Sequence, residues 1–560
     1  MKGTEEGKGR AAGWLDVAVL AAFALGLRLI DLGHPPDIDE LHHVLAARSL
    51  LADGTLSING GVPYDRAVLF TYLVAGLFAV FGESLQVARM PAVFAGTALV
   101  VVLFLWVRSV GGRTAAWVAA LLAAVYPNGV FLSQLSRFYT LQVLLFLVGT
   151  IAVYRLVTSA ATLRPRTRVA LAGAAVVSWA TAVKFQMTCI VGIAAVVTWA
   201  LIAAAPDVWR WLKRQRHATW MIAGALAVVL LAAALVVRNG TLINALNTFR
   251  YADPWAAEHR DNVRFYHWFF LEQFPTAWTL LPVAAIIAIA AFPRMGTLCA
   301  SVFGLAFVFH SLAAWKHDRY IAYAIPMFFG LTGLAAARVL PPLKRAAEAV
   351  VARLPGVNAR PALVRWGAGA LLAGCVLFAM IGNGAFPTVV RMLAPSSGAT
   401  PRPFRGQADW GAAAEQLRAI ADSVDVVVGS SDMKSIYFLG RVDYILEAQR
   451  LYINGEWTPE FTIHAKLDRP AISKPESLSR IMQCEPSGLI VTEYGQWKQT
   501  WGIPAPMADY LVANTERILE SDEWRIRAFR WDRSMPGTAE CDQHNGTGNA
   551  NANGNANGER

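Results

Sequence analysis

Long apolar runs separated by short polar connections organise the first two thirds of the chain. The first run, residues 11–30, follows a polar start with Lys2, Lys8 and Arg10 and is interrupted by Asp16 and Arg28. Its small-x-small triplet, Ala22-Phe23-Ala24, lies inside the run, which favours a retained first helix over a cleaved leader. Residues 67–81 give about 15 apolar positions, short of the roughly 20 that cross a bilayer, so a helix along the membrane surface is expected there. Full spans are expected at 11–30, 87–107, 114–132, 139–157, 169–184, 187–205, 218–237, 275–292, 297–314, 320–340 and 366–388. With 67–81 kept out of the bilayer, the basic connections at 108–113, 164–168, 210–216, 294 and 344–365 all share one side, the cytoplasmic one.

The pattern changes after about residue 389. Residues 391–405 read as a Pro/Ser/Gly linker. Residues 410–421 read as an amphipathic helix, and 424–429, 435–439, 442–446 and 488–492 read as strands. The fold class is therefore an α-helical polytopic membrane protein of about 11 transmembrane helices plus a juxtamembrane helix, with a small C-terminal α/β extracytoplasmic domain. The expected divisions are a membrane domain over 1–390, the linker, the α/β domain over 406–535, and a disordered tail over 536–560 whose end repeats Asn-Ala-Asn-Gly.

Composition agrees with the membrane reading. Hydrophobic residues make up 55% of the chain and charged ones 16%, where soluble domains carry about 25%. The net charge of +11 is spread between apolar runs and forms no basic face, which argues for topology and against nucleic acid. Cys189, Cys299 and Cys375 lie in apolar runs, whereas Cys484 and Cys541 are the two that an oxidising compartment would allow to pair.

Candidate chemistry gathers on the outer side. The stretch from His34 to His43 holds Asp37, Asp39, Glu40, His42 and His43, followed by Asp65-Arg66. Further along come Ser136 to Gln142, Lys184, the loop 238–274, and Trp315 to Tyr320. Charges beside a bilayer are costly and tend to be functional. A carboxylate can take a proton from an acceptor, and Arg or Lys can hold a phosphate and stabilise the charge that leaves on it. Asp37-Ile38-Asp39 also has the Asp-x-Asp form that holds a divalent ion, with His42 and His43 as added candidate ligands.

These segments, in this order, resemble the GT-C membrane glycosyltransferases, and among them the lipid A aminoarabinose transferases and the protein O-mannosyltransferases. The resemblance rests on Ile38-Asp39-Glu40, Tyr64-Asp65-Arg66-Ala67, Phe81-Gly82-Glu83, Ala88-Arg89-Met90-Pro91, Ser136 through Gln142, Ala182-Val183-Lys184 and Lys316 through Tyr320, over roughly residues 12–340. It implies Asp39 as catalytic carboxylate with Glu40 beside it, and Arg66, Lys184, Lys316 and Arg319 as binders of the donor phosphate. Asp65, Arg89, Arg137, Tyr139, Gln142 and Tyr320 are implied as substrate contacts. Two departures stand out: Gln142 replaces an aspartate of the family's second outer loop, and Arg66 replaces a lysine, which keeps charge but alters geometry.

The resemblance implies inverting transfer of a hexosyl or pentosyl group from a polyprenyl-phosphate sugar to an envelope lipid, glycan or protein at the outer face of the inner membrane. The other class open to this sequence is a lipid-linked sugar transporter, flippase or assembly scaffold. A transporter predicts inverted repeats and midplane polar groups, whereas here the ionisable residues cluster at one surface.

Overall fold

The computed structural model describes residues 2–58, 62–159, 161–217, 260–353, 366–370, 408–453, 455–464 and 467–533, with isolated positions between 219 and 252 and at 362 and 364. The expected span at 218–237, most of that at 366–388, the linker 391–405 and the tail 536–560 lie largely or wholly outside the described residues.

In chain order the helices of the first part are α1 (Lys2–Leu29), α2 (Ile38–Ala52), α3 (Val68–Phe81), α4 (Leu85–Ala124), α5 (Pro127–Ser133), α6 (Tyr139–Thr158), α7 (Pro165–Phe185) and α8 (Ile190–Leu212). Then come α9 (Phe265–Gln273), α10 (Pro275–Thr279), α11 (Leu281–Ala291), α12 (Pro293–Leu312) and α13 (Ile325–Val351). Among the described residues six helical segments are long and apolar enough to cross a membrane, and the chain is an integral membrane protein. Their outward faces carry bare apolar side chains such as Val176, Val177, Leu201 and Ile202, as lipid contact requires.

The chain forms two compact units, Met1–Leu32 with Arg89–Pro395, and Gly33–Ala88 with Ser396–Arg560. In the first unit the two expected spans at 87–107 and 114–132 run together as α4, bent where Gly112 takes φ 79° and ψ −173°, a backbone region open to glycine. The second half of α4 ends at Ala124 because Pro127 starts a separate short helix, α5. The single helix expected at 275–292 is broken into α10 and α11, with Pro282 at the start of the latter. A Cβ on Gly333 of α13 would stand 2.4 Å from the carbonyl oxygen of Ala115, so glycine is what lets α13 and α4 approach this closely. Asp16 of α1 holds Arg113 at 2.6 Å and Arg108 at 3.5 Å, which pins α1 to both sides of the bend in α4.

The second unit contains α2, α3 and the short hairpin β1 (Ser57–Ile58) with β2 (Val62–Pro63), then α14 (Trp410–Ser423) and a seven-stranded sheet. Its elements run β3 (Val426–Gly429), α15 (Asp432–Leu439), β4 (Tyr444–Leu446), the hairpin β5 (Tyr452–Ile453) and β6 (Glu456–Trp457), β7 (Ile463–His464) and β8 (Arg469–Ile472). They continue with α16 (Pro475–Cys484), β9 (Ser487–Glu493), α17 (Ala505–Asn514), β10 (Glu516–Ser521) and β11 (Ile526–Asp532). The strand order is β10-β11-β9-β3-β4-β8-β7, with β9, β3, β4 and β8 mutually parallel. All four residues of β3 are buried, as expected for a central parallel strand covered on both faces. One face packs Val426, Val428, Leu478, Ile481 and Met507, and the other packs Trp410, Leu417, Val427, Leu489 and Val491.

Residues 435–439, expected as a strand, instead belong to helix α15. Gly440 at φ 85° ends that helix, and a parallel partner for β3 needs such a crossover. Cys484 is disulfide-bonded, and Cys541, the partner expected from sequence, falls outside the described residues.

Candidate active site

The acidic stretch is the start of a helix. Asp37 is the N-cap of α2: its Oδ1 accepts from the Asp39 amide at 2.8 Å, and the Glu40 Oε1 accepts from the Asp37 amide at 2.7 Å, a reciprocal capping box. Asp39 sits half-buried in the first turn, where a carboxylate is favoured by the helix dipole. The two histidines face the packing of this unit. His42 Nδ1 pairs with the Ile38 carbonyl at 3.1 Å and its ring stacks on Tyr64. His43 is fully buried, with Nδ1 2.9 Å from Thr71 Oγ1 and its ring edge-on to Tyr64 and Phe70.

That geometry corrects the metal reading of Asp37, Asp39, His42 and His43. Helix periodicity and capping turn these side chains to separate tasks, and no group of three or more His, Cys, Asp and Glu suited to a metal ion occurs among the described residues. Asp65 and Arg66 lie exposed in the turn before α3, where Ala67 takes φ 51°.

The carboxyl edge of the parallel strands faces the same helix α2, because α15, which follows β3, packs against it. Arg48 of α2 stands over the Tyr437 ring of α15 at 5.1 Å. The edge is a topological switch point: β3 connects forward to β4 on one side, while β9 arrives on the other from β8 through α16. There Lys434, 3% exposed, donates to Glu493 at 3.0 Å, and Glu493 also accepts from Trp410 Nε1 at 2.7 Å. Arg450 joins Asp432 at 2.8 Å to Glu447 at 2.7 Å.

Negative charge predominates in this layer. Burial raises the Glu447 carboxyl to about 7; Arg450 pulls it down, and Asp432 and Glu493 add to the rise. Burial also raises the pKa of Asp37, helped by Asp39 and Glu40 and opposed by Lys434. Burial lowers the Arg450 pKa, but Asp432, Glu447 and, across to α2, Asp39 outweigh it, so the guanidinium stays charged. Sequence reasoning missed Lys434 and Arg450. They lie roughly 400 residues beyond Asp39, in a part of the chain where the sequence offers no motif.

The first unit holds a second group. Arg137 and Tyr139 are buried at the start of α6; the Arg137 guanidinium donates to the Tyr139 hydroxyl at 3.2 Å and lies 5.3 Å from its ring. Arg319 approaches the same ring at 5.5 Å and that of Tyr320 at 5.7 Å. Burial pushes the Asp318 carboxyl up, but His317 and Arg319 outweigh it and hold it below the usual carboxylate range. Gln142, one turn along α6, is buried beside the Cys189 thiol.

Other expected contacts stand at helix ends. Lys184 is exposed in the last turn of α7. Arg89 is buried and donates to the Leu32 carbonyl at 2.6 Å. Lys316, expected to bind phosphate, donates to the carbonyls of Ala313 at 2.6 Å and Arg260 at 2.7 Å, so in this structure it closes the end of α12. Arg28, an interruption in the first apolar run, is buried and donates to Ser133 Oγ at 3.1 Å and the Ala24 carbonyl at 2.9 Å.

Residues 65–236 match the family described as dolichyl-phosphate-mannose-protein mannosyltransferase. No curated protein matches the chain in sequence. In structure the chain is similar to ArnT from Cupriavidus metallidurans bound to undecaprenyl phosphate, with TM-score 0.56 at 15% identity over 94% of this chain and 100% of that one. The apo state of the same protein gives TM-score 0.51 at 16% identity, over 93% and 98% of the two chains. The Archaeoglobus fulgidus oligosaccharyltransferase in complex with Zn and sulfate gives 0.50 at 13%, over 91% and 72%. A match that begins at Asp65 and a fold shared along nearly the whole chain agree with the series of motifs that starts at Asp39. The chain therefore has the GT-C fold of membrane glycosyltransferases.

Proposed function

We propose that this protein transfers a sugar, with inversion, from a polyprenyl-phosphate donor to an envelope lipid, glycan or protein on the outer face of the inner membrane. The observation that carries the reading is the convergence of Arg137 and Arg319 on the Tyr139 ring. Both guanidiniums approach this one ring, and a phosphate beside them would form charge-assisted bonds. The fold's likeness to ArnT bound to undecaprenyl phosphate supports a donor of that class.

In the reaction an acceptor oxygen attacks the anomeric carbon. Asp39 takes the acceptor proton, and the bond from the anomeric carbon to phosphate oxygen breaks so that polyprenyl phosphate leaves with the bonding electron pair as an anion. Asp37 and Glu40 serve in the capping box that orients the turn carrying Asp39. The test uses purified full-length protein with radiolabelled undecaprenyl-phosphate sugars and envelope fractions, which reports donor and acceptor together. Asp39→Asn should abolish transfer with expression unchanged, and full activity of that variant would overturn the assignment.

A further inference from the structure

The switch-point edge of an open α/β sheet is where such sheets usually receive a ligand. In this chain the edge carries buried Lys434, paired with Glu493 at the end of β9, and half-buried Arg450, paired with Asp432 of α15 and Glu447 after β4, and α15 packs against α2, whose first turn carries Asp37, Asp39 and Glu40. Trp410, Ser430 and Gln496 complete the layer with neutral groups: the Trp410 indole and the Gln496 amide donate to Glu493 and Glu447, and Ser430 Oγ accepts from the Glu493 amide. Carboxylates crowded in this way repel unless cations lie between them. Each cation is already anchored on the sheet side, Lys434 by Glu493 and Arg450 by Asp432 and Glu447. Their charges also act across to α2, Lys434 on Asp37 and Arg450 on Asp39.

We propose that Lys434 and Arg450 are positioning residues, bolting the Asp37–Glu40 turn onto the C-terminal sheet so that this sheet sets where the acceptor-side carboxylate stands. The inference rests on the reading of Asp39 as the base. It explains why residues 33–88 and the C-terminal part form one compact unit although more than 300 residues separate them in sequence. The rigid element is the sheet, and the cations are its two attachment points. The neighbouring Arg48–Tyr437 contact fixes the next turns of α2 on the same helix.

The experiment measures hydrogen exchange across residues 38–44 in full-length protein in lipid nanodiscs, for wild type, Lys434→Met, Arg450→Gln, and the charge-keeping Lys434→Arg and Arg450→Lys. Transfer from undecaprenyl-phospho-mannose to an envelope fraction is followed in parallel, with Asp39→Asn as control. Exchange at 38–44 should rise about tenfold or more in the neutral variants, the scale of one charge-assisted contact, and return toward wild type with charge restored. Transfer should lose kcat with the donor KM unchanged. Unchanged exchange in both neutral variants overturns the inference. So does a rise shared equally by the strand 487–493, since that marks general loosening of the unit. An inactive Asp39→Asn beside unchanged exchange leaves the base assignment standing and removes only the positioning role. An active Asp39→Asn removes the base assignment, while the exchange result still decides whether the cations hold the turn.

Discussion

Asp37 and Glu40 each satisfy the other's end of α2. The Asp37 carboxylate takes the Asp39 amide at 2.8 Å, and the Glu40 carboxylate takes the Asp37 amide at 2.7 Å. A stretch that reads in sequence as a loose acidic patch is thus a tightly fixed helix start, and the chemistry expected of Glu40 competes with a structural task.

Glu40→Gln keeps an acceptor for the Asp37 amide, whereas Glu40→Ala leaves that amide without its cap. The alanine should cost about 1 kcal/mol of local stability, and the glutamine a fraction of that. Hydrogen exchange of α2 would read the difference, and Glu40→Gln should retain more transfer activity than Glu40→Ala. A glutamine variant as inactive as Asp39→Asn would instead give Glu40 an acid–base role.

Lys316 holds two carbonyls, that of Ala313 just beyond α12 and that of Arg260. Lys316→Met should lower thermal stability by about 1–3 kcal/mol, the cost of leaving buried acceptors unsatisfied. Affinity for undecaprenyl phosphate, titrated in nanodiscs, should stay within a factor of three. A tenfold loss of affinity in a variant that melts like wild type would return Lys316 to the donor site.

The Arg137 and Arg319 guanidiniums both approach the Tyr139 ring. Tyr139→Phe keeps the aromatic face and removes one hydrogen bond to Arg137, so undecaprenyl phosphate should bind within about threefold of wild type. Tyr139→Leu removes the ring that both guanidiniums approach, and affinity should fall about tenfold. Equal losses in the two variants would mean that the hydroxyl, and not the ring, organises the arginines.

Glu447 carries a pKa raised by burial to about 7 against an ordinary value of 4.5. Between those values the folded protein binds a proton that the unfolded chain has released, so stability falls as pH rises through this window. Thermal unfolding of the full-length protein should therefore show a higher midpoint at pH 5 than at pH 8 from this group. Glu447→Gln, which mimics the protonated form, should narrow that gap; an unchanged gap would place the pH dependence elsewhere.

The sequence by itself determined the membrane character, most helix positions and the order of the motifs. Apolar runs such as 139–157 and 187–205 can satisfy their backbone groups only as helices in a bilayer, so their boundaries show in composition alone. It also made Val424 to Gly429 and Gly488 to Thr492 readable as strands, because fully buried parallel strands are continuous apolar runs. It misread 435–439, whose apolar residues suit strand and helix alike until the parallel pairing of β3 with β4 demands a crossover helix. The bend at Gly112 and the break between α10 and α11 were also hidden, since a glycine or proline within an apolar run leaves hydropathy unchanged. What only the tertiary structure decided is the company Asp39 keeps. Charges that act through space carry no trace in local sequence, and Lys434 and Arg450 meet the first acidic turn only because α15 packs against α2.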